Sequence, residues 1–367
     1  MNFVLMTIYI ILIIINILLF INKKVSKIVL GITVLLLFFL MSGYKYIGNG
    51  DSIDFLAYLD GYNNFEESSQ VDFLFYYLFY LSQYITISLS LDFYQWWAVM
   101  TVLMLSVILF TLRNSKFNPH QFFVYFMIFY VFIFFCWLKF YFGFVFLLFA
   151  FSFLVRGRKF DKLKFLLLVL IAGGFHAMYY VFLVFIVVDQ KTQKLIKTAA
   201  ILSISLSIAI ILTNNNFNLL QAIIDFIGNW RISYYFSDRT NRGFLIPMGI
   251  HVLTLIYTYN YRKYLLAVNS EKSTKIYVDA LLFSNILAII FYPLFIVSLV
   301  FMRIITAFSL VSITLSGFRQ ELIPNNKRLF LLGIGLMIVF AYSFYYLYVE
   351  DYWIKTYVPF FDSYYFK

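Results

Sequence analysis

Residues 171–180 read IAGGFHAMYY, setting a titratable ring and two glycines inside an apolar stretch that runs from Phe165 to Val188. Glycine weakens a helix, and an imidazole in hydrocarbon is costly unless it faces a partner or water, so the pattern marks a site. Near neutral pH an imidazole can take up or give a proton, which makes His176 a candidate for proton transfer. Carboxylates able to share that work stand in YIGNGDSIDFLAYLDGY, where Asp51, Asp54 and Tyr58 follow at intervals of three and four and so share one face of a helix. Gly-Asn-Gly ahead of Asp51 also makes Asp51 or Ser52 an N-cap, a role compatible with the first. The two remaining histidines read differently. His251, in PMGIHVLTL after Pro247, fits helix packing, and His120 beside Pro119 reads as an ordinary residue.

The elements that must position these residues follow from composition. Hydrophobic residues make up 63% of the 367 positions and charged residues 12%, far from soluble averages. The expectation is an all-α polytopic membrane protein, a single integral membrane domain over 1–367, with about 11–12 transmembrane helices. Phe3 to Ile21 is long enough to span and is followed by lysines, the reverse of a secretory signal, so it reads as a retained helix. The single cysteine, Cys136, lies in an apolar run and offers neither a disulfide nor a zinc cluster.

The net charge of +11 reflects the positive-inside rule and implies no nucleic-acid partner. Twenty of the 28 basic residues fall in six clusters: Lys23–Lys27, Arg113–Lys116, Arg156–Lys164, Lys191–Lys197, Arg262–Lys275 and Arg319–Arg328. All six face the cytoplasm if both termini are outside. The spans then lie near 3–21, 28–46, 95–112, 121–137, 141–155, 165–175, 177–189, 198–212, 244–260, 276–296, 298–317 and 329–349. Outer-face loops occupy 47–94 and 213–243. Within the first of these, 71–90 is placed in the interface, its tyrosines at headgroup level. The pair at 165–189 is a broken helix, with Gly173–Gly174 as its turn and His176 facing an outward cavity.

Eight basic residues then stand outside against the expected bias. Lys355 and Lys367 belong to an aromatic tail. Lys139, in FCWLKFYFG, and Arg303, in LVFMRIITAF, admit two readings: snorkelling to the headgroups, or a phosphate-binding pair. The second outer loop ends in NWRISYYFSDRTNRGFLIP. There Arg231, Arg239 and Arg242 offer guanidinium to phosphate, and Tyr234 and Tyr235 offer rings to sugar faces.

In this order the elements resemble the EpsG family of bacterial polysaccharide polymerases, related in role to the Wzy polymerases. The resemblance is carried by DFLAY (Asp54, Tyr58), a helix pair joined by a short outer turn, AGGFHA, RISYYF before a glycine-containing helix start, and MRIITAF. Two positions depart from the pattern. Lys139 of WLKF stands where an arginine of an Arg-Gln pair is usual, keeping charge but losing the bidentate fork. Ala307, with Phe308 after it, stands four residues past the late arginine, where an aromatic is common.

The resemblance implies metal-independent glycosyl transfer, without cofactor, on the outer face of the bacterial cytoplasmic membrane. Donor and acceptor would be polyprenyl-diphosphate-linked oligosaccharides, with the bilayer and a chain-length regulator as further partners. His176, Asp51 or Asp54 would serve as base, Arg303, Lys139 and the loop arginines would hold diphosphate, and Tyr58, Tyr234 and Tyr235 would bind sugar. Two other classes fit the same composition: a lipid-linked-sugar flippase, and an O-antigen-ligase-type or other lipid-linked-sugar-dependent glycosyltransferase. A flippase would line both leaflets with charge, and Asp279 is the one isolated acid on the inner half.

Overall fold

The computed structural model describes residues 2–44, 59, 73–114, 117–131, 138–154, 158, 160–187, 190–212, 245–297, 302–346 and 360–361. Among these the regular structure is helical, apart from an isolated bridge between Phe117 and Phe318. Five helices are long and apolar enough to cross a membrane: those within 3–21, 93–113, 193–212, 272–294 and 325–344. The all-α polytopic expectation is borne out. Contacts divide the chain into two compact units, residues 1–183 with 314–367, and residues 184–313.

The first unit contains α1 (Phe3–Ile21), α2 (Lys27–Ser42), α3 (Phe73–Ser88), α4 (Phe93–Asn114), α5 (Pro119–Tyr125), α6 (Leu138–Leu154) and α7 (Asp161–Phe175). Its last long helix, α13 (Asn325–Phe344), comes from the C-terminal part of the chain. Local sequence explains the starts: Asn2, Ser26 and Asn118 cap α1, α2 and α5 with their side-chain oxygens, and Pro119 occupies the first turn of α5. The helices are apolar on the outside. On α1, Leu5, Tyr9, Leu12, Asn16 and Phe20 form the buried stripe, while Ile14 and Leu18 are 50% and 52% exposed. An exposed face richer in hydrocarbon than the buried one is what lipid selects. On α3, Tyr77, Leu81 and Tyr84 make a similar exposed stripe.

Buried polar groups join the helices. Asn16 of α1 donates to Leu12 O (2.8 Å) and Thr33 Oγ1 (3.2 Å) and pairs through Oδ1 with His120 Nδ1 at 2.7 Å. His120 Nε2 accepts the Ser26 N–H at 3.1 Å, so the ring is neutral with its proton on Nδ1. His120 is thus a clamp between α1, α2 and α5. A π turn at Phe126–Tyr130 follows α5, and the Met127 and Ile128 carbonyls accept Tyr9 Oη (2.6 Å) and Ser343 Oγ (3.0 Å). Buried Arg328 donates to Ile21 O and lies over the Phe20 ring at 5.3 Å.

These contacts sort the unit into two ends. Ser26 meets His120, Lys23 donates to Glu321 O (2.9 Å), and Phe117 bridges Phe318. Phe110 and Phe149 pair at 5.6 Å, bringing the ends of α4 and α6 level. Lys23–Lys27, Arg113, Arg158 and Arg319–Arg328, described members of four basic clusters, therefore gather at one end. At the other, Asn2 N–H donates to Phe361 O (3.0 Å), so the two extremities of the described chain meet.

The second unit holds α8 (Gln190–Leu212), α9 (Leu245–Val268), α10 (Lys272–Ala288), α11 (Tyr292–Val297) and α12 (Met302–Leu315), the last closing at the unit boundary. A 3-10 turn at Ile289–Phe291 separates α10 from α11. Pro293 explains it: the ring removes a donor and crowds the carbonyl of Ile289, and the neighbouring Ile290 O accepts Ser203 Oγ at 3.2 Å. Asp279, isolated in sequence, is ion-paired with Arg262.

We expect Asn16→Leu to destabilise the first unit by about 1–3 kcal/mol, because it leaves enclosed groups of His120 and Thr33 without a partner. Thermal unfolding in detergent would show it, with lipid-facing Leu18→Ala close to wild type.

Candidate functional site

The histidine segment forms a hairpin with unequal legs. The glycines do not make the turn expected of them: α7 runs unbroken through Gly173 and Gly174, and the chain leaves helical geometry at His176, with φ −151° and ψ 116°. A 3-10 helix follows over Ala177–Val187. Ring contacts show that it runs back. Phe151 of α6 touches both Phe165, near the start of α7 (5.4 Å), and Phe182, in the return leg (6.1 Å). Phe175 instead stacks on Phe142 and Phe146 near the beginning of α6, at 5.7 and 5.2 Å.

The glycines serve the packing of that return. A Cβ on Gly173 would overlap the Tyr180 ring, and one on Gly143 of α6 would overlap the Tyr179 ring and meet Ala172 O at 2.9 Å. Removing two side chains lets a second leg lie in the groove between α6 and α7. The 3-10 form has its own reason. Its period of three stacks Tyr179 over Phe182 (6.2 Å) on one face toward α6, where Tyr179 Oη donates to Phe140 O at 2.7 Å.

At the bend, the His176 ring stands edge-on to Phe140 (6.4 Å) and Tyr179 (6.2 Å), half-buried, and its Nδ1 accepts a long contact from Met178 N–H at 3.4 Å. Lys139, half-buried in the first turn of α6, precedes Phe140 and so comes to this same end of the hairpin. This is the end opposite the basic loops. The structure thus places two of the expected site residues at the same end of the hairpin.

Arg303 is the second residue of α12, and its side chain lies outside the described residues. Asp51, Asp54, Tyr58, Arg231, Tyr234, Tyr235, Arg239 and Arg242 all lie outside the described residues. Among the described residues, no three His, Cys, Asp or Glu side chains come close enough to hold a metal ion.

The second unit holds a polar chain that the sequence reading passed over. His251, Thr254 and Thr258 form a buried stripe on α9. His251 Nδ1 pairs with Tyr292 Oη at 2.6 Å, while its Nε2 and Asn285 Oδ1 are enclosed without a hydrogen bond. Asn285 Nδ2 donates to Ser312 Oγ at 2.6 Å. The available signal was the polar spacing 251, 254, 258 on an otherwise apolar helix.

Helices with hydrocarbon outside and polar seams inside define an all-α, multi-pass membrane protein. The family model of the EpsG family matches residues 28–361, and the chain belongs to that family. Membership places it, at the level of the family, with the Wzy-like polysaccharide polymerases. No curated protein and no solved structure matches the chain.

Gly173→Val should destabilise the hairpin by about 1–3 kcal/mol through overlap with Tyr180. Adding Tyr180→Ala should restore much of it. Unfolding midpoints of the single and double variants would test this, and equal midpoints would assign the glycine elsewhere.

Proposed function

We propose that the protein joins polyprenyl-diphosphate-linked oligosaccharide repeat units on the outer face of the bacterial cytoplasmic membrane, in synthesis of an exopolysaccharide, capsule or O-antigen. The observation that carries this reading is the tip of the hairpin, where His176 and Lys139 share the end of the first unit opposite its basic loops. The family supports the class of reaction. The α7 leg, of 15 residues, and the 3-10 leg, of 11, are each about 22 Å long, short of a hydrocarbon core of about 30 Å. With the basic loops at the cytoplasmic surface, His176 then lies beneath the outer headgroups, where a lipid-linked diphosphate is presented.

The chemistry is metal-independent displacement at an anomeric carbon. The acceptor's sugar hydroxyl attacks that carbon, its proton passes to a base, and the bond to the donor diphosphate breaks with the electron pair leaving on oxygen. His176 is the candidate base together with Asp51 or Asp54. Lys139 and Arg303 stabilise the charge that grows on the diphosphate. Arg231, Arg239 and Arg242 hold phosphate, and Tyr58, Tyr234 and Tyr235 hold sugar, as the loop pattern suggests.

Purified protein given lipid-linked repeat units should produce a polymer ladder. His176→Ala should lower its rate about 10²–10⁴-fold and Arg303→Ala about 10²–10³-fold, with Arg303→Lys and Lys139→Arg retaining activity. If His251→Ala alone eliminates the ladder at equal membrane abundance while His176→Ala leaves it intact, the base belongs to the polar chain of the second unit. Transport of lipid-linked units without a ladder would favour a flippase.

A further inference from the structure

A groove of about 500 Å³ lies on the outside of the first unit, between α2 and α4. Its walls are apolar, with Gly31 and Phe38 on α2 and Val102 and Leu109 on α4, and Lys27 closes one end. The two helices are antiparallel, since Trp97 at the start of α4 donates to Met41 O at the end of α2 (2.7 Å). Arg113, one turn beyond Leu109, therefore comes to the Lys27 end. Lys27 and Arg113 are exposed and make no ion pair among the described residues.

Gly31 is the telling residue. Glycine inside a helix costs stability and is kept where a neighbour needs the space, yet a Cβ at Gly31 would meet nothing within 4 Å. Gly31 lines the groove, and a larger side chain there would enter it.

We propose that this groove binds one anionic glycerophospholipid of the bilayer, an acyl chain along the helices and the phosphate between Lys27 and Arg113. Charge complementarity sets the sign of the headgroup, and the two cations stand where the basic loops gather. Length sets the kind of lipid. From Lys27 to Phe38 is 11 residues, about 16 Å, half of a core of about 30 Å and so the depth of one leaflet. A polyprenyl chain is longer than that, and its diphosphate is expected at the other end of the unit. The site is thus separate from the proposed chemistry and does not rest on it.

Native mass spectrometry of the purified full chain, titrated with phosphatidylglycerol or with phosphatidylcholine of the same acyl chains, tests this. One phosphatidylglycerol should remain bound where phosphatidylcholine is lost. Lys27→Ala and Arg113→Ala should each weaken it about fivefold, the increment expected for one basic residue at an anionic headgroup. Gly31→Leu should fill the groove and abolish binding. Gly333→Leu, on α13 and equally without a neighbour within 4 Å, should leave it unchanged. Equal retention of the two lipids, wild-type binding by Gly31→Leu, or stronger occupancy by polyprenyl phosphate than by phosphatidylglycerol would each overturn the assignment.

Discussion

In hydrocarbon no water is available to a freed backbone carbonyl, and each departure from regular helix must be answered from within the protein. The departures in this chain are matched by side chains from other segments. Tyr9 and Ser343 meet the carbonyls exposed by the π turn after α5, Ser203 meets Ile290 O at the proline break, and Trp97 meets Met41 O where α2 ends. Tyr179 also ties the return leg of the histidine hairpin to Phe140 O of α6. The constraint explains why so many tyrosines and serines lie inside. They are the partners that let helices break where the protein needs a break.

That constraint also accounts for what the sequence disclosed. Apolar runs and basic clusters define helices and ends, since hydrophobic length and lysine placement are local quantities. The described residues of four clusters gather at one end of the first unit. The hairpin was legible as a break, because glycine and histidine are conspicuous in an apolar segment. Its cause was not: Gly173 is needed by Tyr180, seven residues on, and that contact exists only once the second leg has folded back. His120 looked ordinary for a similar reason, its partners Asn16 and Ser26 being about a hundred residues away.

The polar chain of His251, Tyr292, Asn285 and Ser312 shows the opposite case. Each residue taken singly is a common helix constituent, and only the convergence of α9, α10, α11 and α12 pairs them. The outer-loop residues belong to neither case. Their grouping was read from spacing and from the resemblance, and they lie outside the described residues.

The contact between Arg328 and Ile21 O spans 307 residues of sequence, and the whole second unit is encoded between the two halves of the first. At about 5–20 residues per second, a ribosome needs about 15–60 s to deliver the arginine after the carbonyl has been made. Throughout that interval α1 sits in the bilayer with its contact to α13 unmade, while helices α2 to α12 are threaded in. The insertion machinery and the surrounding lipid must hold an open seam for most of the protein's synthesis, and the last 54 residues close it.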